Sequence, residues 1–263
     1  MISVGLQAIG VIAEGLVGWQ DTASLLRAER PYVGAEIPPL KPSMLKPNER
    51  RRTTRTIKIA LQAAEEALQE WTDQAQLLSI FSSSEGDLDI IDQICIALSR
   101  EDRPVSPTQF HNSVHNAPAG YWSIGSGSRQ ASSSLAGLNG SFAAGLMEAA
   151  VQAVAEQKPA LMVGYDQPPP PLLKAFMPIA SPFAVALLLT PETDSRGIAR
   201  LVLEPAATDE ESKMSNPELE QLRLAAPAAR SLPLLEAVAR RESARLTMPY
   251  LPGLKLQLDL TPC

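Results

Sequence analysis

Cysteine is almost absent: the 263 residues contain two, Cys95 and Cys263, too far apart for a CxxC motif or a zinc-ligand spacing. That excludes a disulfide-stapled fold and a cysteine-ligated zinc module, and leaves a reduced, cytoplasmic setting as the expectation. No metal site and no cofactor are expected. Aromatic residues make up 5% of the chain, so the core must be built mainly from Ala, Leu, Ile and Val. Basic charge is also short, with a net charge of −6. A nucleic-acid binder would normally carry a basic stripe, so no nucleic-acid partner is expected. No run approaches the ~20 apolar residues of a membrane span. The apolar start, Met1 to Trp19, lacks a positive leader and is interrupted by Glu14, so it is not read as a signal peptide.

What is present is a chain of ordinary hydrophobic content, 45%, long enough for one large domain. Ile2 to Ile12 suits a buried first strand and Trp19 to Arg30 a short helix, followed by a proline-rich loop from Pro31 to Pro47. Ile57, Leu61, Ala64, Leu68 and Trp71 fall on one helical face behind the basic start Glu49 to Arg55, which reads as a solvated face. Leu77 to Ser84 reads as a buried strand ending in a small-residue turn. Asp87 to Leu98 has Leu88, Ile91, Ile94, Cys95 and Leu98 at helical spacing, which makes Cys95 a packed core thiol. Asn116 to Ile124 suits a helix, Gln130 to Gly137 a strand, Asn139 to Gln157 a close-packing helix and Leu161 to Tyr165 a further strand. After the prolines of Gln167 to Pro171, two strands are expected at Pro182–Thr190 and Gly197–Leu203, joined by a turn around Asp194 to Gly197. An acidic, flexible linker at about 206–220 then leads to a helix, Leu232 to Arg245, and a strand, Leu254 to Leu260. The expected architecture is a single α/β domain over 1–263, a mixed sheet with helices on both faces.

The run Ser106-Pro107…Phe110…Ser113-Val-His-Asn116…Ala119-Gly120, and the helix after Arg52-Thr-Thr-Arg55 with its Ala60, Ala63, Ala64 and Ala67, resemble the N-terminal half of β-ketoacyl synthases of the thiolase-like fold. In that family an Asn-x-x-Ala-Gly run leads, through a small-residue strand, to a cysteine at the first turn of a buried helix. A helix N-terminus favours the thiolate and offers N–H groups to an oxyanion. In the same register Gly127, Arg129, Ser132 and Ala136 match the pattern, Gly164 falls in a glycine turn, and Asn139 stands at the nucleophile position. A carboxamide is not a usable nucleophile, and Asn139 would serve instead as a helix N-cap.

The resemblance implies a single half of a ketosynthase with no catalytic residue. It lacks the second half, which in the family supplies two further histidines. Such a chain is similar to a chain-length factor as in aryl polyene biosynthesis, with no independent activity, paired with an active β-ketoacyl-ACP synthase and meeting acyl carrier protein only indirectly. The resemblance implies dimer-interface positions at His111, His115, Asn116, Ser132, Ser133 and Ser134, and acyl-tunnel positions at Leu88, Ile91 and Ile94; ordinary core is the other reading of the last three. Other readings are a small acyltransferase or thioesterase using Ser141 or His115, and a free-standing acyl-binding homodimer.

Overall fold

The computed structural model describes residues 1–191, 197–207 and 210–263. The apolar first segment becomes β1 (Ile2–Ala13), which lies between β6 (Phe183–Pro191) and β7 (Ala199–Ala206) and runs antiparallel to both. A two-residue strand, β2 (Leu16–Val17), folds back on β1. On one side β6 continues to β5 (Ala160–Asp166), then β3 (Leu78–Ser82), then β4 (Ser132–Leu135), the last three mutually parallel. On the other side β7 continues to a C-terminal hairpin of β9 (Leu254–Pro262) and β8 (Ala244–Leu251). Among the described residues the sheet has nine strands, in the order β4-β3-β5-β6-β1-β7-β9-β8 with β2 off this path against β1, and β4 and β8 lie at its edges.

The sheet is buried on both faces, which is why its central strands are apolar without alternation. Phe183, Val185, Leu187 and Leu189 of β6 enter one core with α1 (Trp19–Leu26), α7 (Ser141–Glu156) and α9 (Leu232–Arg240). Ala184, Ala186 and Leu188 enter the other with α3 (Arg55–Ala67) and α6 (Ala117–Ser126). Each large side chain so buried is worth about 1.5–3 kcal/mol. The remaining helices are α2 (Pro47–Arg52), α4 (Leu88–Leu98), α5 (Pro107–Asn112) and α8 (Pro217–Ala225). The helix expected to run on from Glu49 is divided at Thr53–Thr54, because the extended Thr54 caps α3 by accepting the Ile57 N–H at 3.1 Å.

Two expectations for the C-terminal part are corrected. Residues 208–209 of the acidic linker, like 194–196 of the expected turn, lie outside the described residues. The described remainder of the linker is anchored: Met214 is buried, Ser212 N–H donates to Thr247 O at 2.8 Å, and α8 begins at Pro217. Glu211 pairs with Lys255 at 2.6 Å and with the buried Arg223 at 3.5 Å, so its acidic charge serves packing and not solvation. Finally, α9 ends at Arg240 with Arg241 in the left-handed conformation, φ 55°, and Ala244 to Leu251 is a strand. This segment covers α7: Leu232, Leu234, Met248, Leu256 and Leu258 share one core with Phe142, Leu146 and Ala150.

Candidate functional site

The C-terminal ends of β3, β4 and β5 converge, and the site is built from the segments that leave them. After β4 the chain turns through Gly137 into a 3-10 turn, Leu138–Gly140, and then α7. Leu138 holds a left-handed backbone, φ 50°, and is 69% exposed. Asn139 is exposed beside it. The expectation that Asn139 caps the helix is corrected: the cap position is Gly140 and no side chain fills it. Ser141 takes over the local hydrogen bonding, accepting the Gly137 N–H at 3.0 Å and donating to Leu138 O at 2.7 Å.

Close packing fixes this turn. A Cβ on Gly145 would stand 2.7 Å from Ser82 Cβ and 2.8 Å from Met162 Cε, so α7 presses its backbone onto β3 and β5. A Cβ on Gly140 would collide with the Tyr250 carbonyl, so β8 lies directly against the turn. Gly164, expected in a turn, is a buried residue inside β5.

The Ser141 hydroxyl is buried and committed as both donor and acceptor, and no histidine hydrogen-bonds to it. It therefore lacks the base that a serine nucleophile needs. His115 instead sends Nε2 to the Ser83 carbonyl at 3.1 Å. Replacing Asn139 by Ala is expected to change stability by no more than about 0.5 kcal/mol, as for an exposed side chain without a capping bond. A thermal or urea unfolding curve measures this, and a loss comparable to a lost cap would contradict the geometry.

The residues expected at an interface are partly gathered. His115, Asn116, Ser132 and Ser134, with Ala119, Gly120 and Ser123, line an open recess of about 550 Å³ beside the β4 edge. Ser133 points to the opposite face, where its hydroxyl accepts from Gln152 Nε2 at 3.0 Å. His111 also stands apart, its ring edge-on to Tyr121 with centroids 6.1 Å apart. Burial pushes the Tyr121 phenol up, against the hydrogen bond it shares with Asn112.

The helix α4 departs most from expectation. Its inward residues are Ile90 and Ala97. Leu88 and Ile94 are half-buried, while Ile91, Cys95, Ile96 and Leu98 are exposed. Cys95 is thus a surface thiol and not a packed core residue, and an ordinary-core reading of Leu88, Ile91 and Ile94 does not hold. The side chain of Asp87 caps the helix by accepting the Ile90 N–H at 3.2 Å.

Sequence reasoning missed Asp166, at the end of β5. It is 1% exposed and accepts from Ser84 N–H at 2.9 Å, Ser83 Oγ at 3.3 Å and Ala228 N–H at 2.7 Å. Burial pushes its carboxyl up to about 7, with these hydrogen bonds opposing the shift and Glu85 adding to it. Burial, with the charges of Asp166 and Asp87, also pushes the Tyr165 phenol well above its ordinary value. Among the described residues no cluster of His, Cys, Asp and Glu could hold a metal ion, and no helix is long and apolar enough to cross a membrane.

A mixed sheet between helical layers, with a small-residue parallel strand turning into a buried helix, has the architecture of the thiolase-like fold. The family model for the β-ketoacyl synthase N-terminal domain matches residues 21–249, and the chain belongs to that family. A comparison with curated proteins gives no match. Among solved structures, the ketosynthase ApeO in complex with its chain length factor ApeC, from Xenorhabdus doucetiae, contains a chain similar to this one at 22% identity and a TM-score of 0.75. The match covers 98% of this chain and 100% of that one. The ishigamide ketosynthase/chain length factor is similar at 12% identity and TM-score 0.77, covering 100% of this chain and 99% of that one. The type II polyketide synthase complex AntDE:AntF, a ketosynthase with its acyl carrier protein, is similar at 13% identity and TM-score 0.78, with the same coverage.

Proposed function

We propose that this protein is a chain-length-factor subunit: a ketosynthase-like chain without a nucleophile that pairs with an active β-ketoacyl-ACP synthase and shapes its acyl cavity. The observation that carries this is the exposed asparagine at the nucleophile turn, in a chain whose cysteines both lie elsewhere, on α4 and at the C-terminus. Such a turn forms no acyl thioester, so condensation falls to the partner. The ApeO/ApeC complex supports the reading, since a chain similar to this one occurs there in a ketosynthase paired with its chain length factor.

The surface is consistent with one large partner. Among the described residues the edge strand β4 pairs only with β3, the recess beside it is open, and the apolar outer face of α4 is exposed. An unpaired strand edge is a template for another chain. The carrier protein meets the active subunit, and aryl polyene or related polyketide chains are the substrate class. Co-expression with a ketosynthase encoded nearby tests the pairing. A stable 1:1 complex is expected, whereas a protein that stays alone or self-paired and never co-elutes defeats the reading.

On this reading α4 reaches the floor of the partner's cavity, and Ile91, 38% exposed, is one of its reaching side chains. Ile91→Trp adds an indole where the acyl chain must extend, and overpacking costs on the order of 1–3 kcal/mol. The product should therefore shorten by one or more extension units, read by mass spectrometry of carrier-bound intermediates. An unchanged product distribution would remove Ile91 from the cavity.

A further inference from the structure

The turn between β3 and α4 is held from three directions. Ser83 N–H donates to Leu135 O of β4 at 3.2 Å, and His115 Nε2 meets the Ser83 carbonyl at 3.1 Å. Ser83 Oγ also accepts the Gly86 N–H at 3.0 Å, closing the turn on itself where Gly86 has φ 68°. The third hold is Asp166. One of its oxygens takes Ser84 N–H and Ser83 Oγ, and the other takes Ala228 N–H, the first residue of a 3-10 turn, Ala228–Ser231, in the C-terminal segment.

We propose that Asp166 is a positioning residue for α4, a buried joint through which the C-terminal segment sets where that helix starts and points. The consequence for a partner's cavity depth rests on the chain-length-factor reading. The joint itself does not. Its position gives a carboxylate a role in a site where, among the described residues, no cation pairs with it. A single carboxylate can accept from donors on two different segments at once, and an apolar side chain would leave two backbone N–H groups buried without partners.

The joint responds to pH in a defined direction. The carboxyl titrates near 7 when closed and near the ordinary carboxylate range when water reaches it, so ionisation favours opening. Glu85 faces it from the turn side, Tyr165 from β5 and His115 through Ser83, while Asp87 acts on Tyr165. Arg230, on the same 3-10 turn as Ala228, is directed to Glu211 at 3.9 Å. Opening should become roughly ten-fold or more easier between pH 5.5 and 7.5, the ratio that linkage gives for those two titration points.

Hydrogen exchange on the full chain, corrected for the intrinsic pH dependence of the chemistry, reads this directly. In the wild type, amides of 84–98 and 228–231 should lose roughly ten-fold protection together over that interval while those of α3 and α7 hold. Asp166→Asn should give a flat profile in the same segments, and His115→Gln should keep the wild-type profile. A flat wild-type profile, a profile that vanishes in His115→Gln, or a loss shared equally by α3 and α7 would overturn the proposal. The wild-type and His115→Gln arms decide it even if Asp166→Asn does not fold. In a complex with a ketosynthase, product length should vary with pH for the wild type and not for Asp166→Asn. Failure to form that complex counts against the proposed function and leaves the exchange result standing.

Discussion

Replacing Arg223 by Ala is expected to destabilise the protein by about 3–5 kcal/mol, the scale of breaking a buried ion pair from one side. Arg223 is 3% exposed and forks onto Glu220, with Nε 2.8 Å from Oε2 and Nη2 2.7 Å from Oε1. Its other amine stands 3.5 Å from Glu211, which in turn holds Lys255 on β9 and approaches Arg230 at 3.9 Å. One guanidinium thus ties α8, the strap before it and the C-terminal hairpin together. Without it Glu220 remains part-buried and loses its paired guanidinium, keeping the Met214 N–H at 2.9 Å and the more distant charge of Arg230. Arg223→Met with Glu220→Leu should recover much of the loss, because removing both charges leaves neither unpaired. Urea unfolding of the single and double variants measures the difference. A single variant within about 1 kcal/mol of wild type would show the network to be a solvated one.

The same network sets an acid limit. The Arg223 hydrogen bond leads in holding Glu220 below its usual range. Burial alone would raise Glu211, and the Lys255 hydrogen bond with the charges of Lys255, Arg230 and Arg223 outweighs it. Depressed carboxylates contribute stability that is present above their unfolded values, about 4.5, and is lost as pH falls through the folded ones. Asp166, raised, acts with the opposite sign, its contribution being full at low pH and lost as pH rises to about 7.

Much of the sheet was legible because burial on both faces leaves short apolar runs between turn signals, as at Leu77–Ser84 and Pro182–Thr190. A gapless register from Asn116 carries Asn139 onto the 3-10 turn before α7, so the turn itself was legible as the break between a small-residue strand and a helix. α4 misled for a physical reason. It is apolar nearly all round, so periodicity cannot tell which face packs, and the side carrying Ile90 and Ala97 turned inward. α5 had a usable signal, Ser106 followed by Pro107 at the first helical position. β8 had one too, since Leu246 and Met248 alternate with Arg245, Thr247 and Pro249, but no glycine or proline marked the end of α9 at Arg241. The bond from Ala228 to Asp166 joins residues 62 apart, and no local pattern announces it.

The strongest functional effect is expected at Ser134→Pro. Ala131 and Leu135 turn their carbonyls to β3, accepting from Ser79 and Ser83 at 3.1 and 3.2 Å. By alternation Ser133 faces β3 as well, so the backbone groups of Ser132 and Ser134 face outward from the edge. A proline at 134 removes an outward N–H and leaves the β3 ladder intact, and its ring occupies the line along which a second strand would approach. The extended Ser133 before it suits a residue preceding proline. The isolated chain should keep its Tm within a few degrees of wild type, since no buried group changes. Pairing with the ketosynthase should weaken by ten- to a hundred-fold. A backbone group left unpaired in an interface costs about 1–3 kcal/mol, and each 1.4 kcal/mol is a factor of ten. Ser134→Thr, which keeps the N–H and the hydroxyl, should bind like wild type. Calorimetric or surface-binding titration against the purified ketosynthase distinguishes them. Equal affinity for the proline and threonine variants would move the interface off β4, leaving the outer face of α4 as the surface by which this subunit meets its partner.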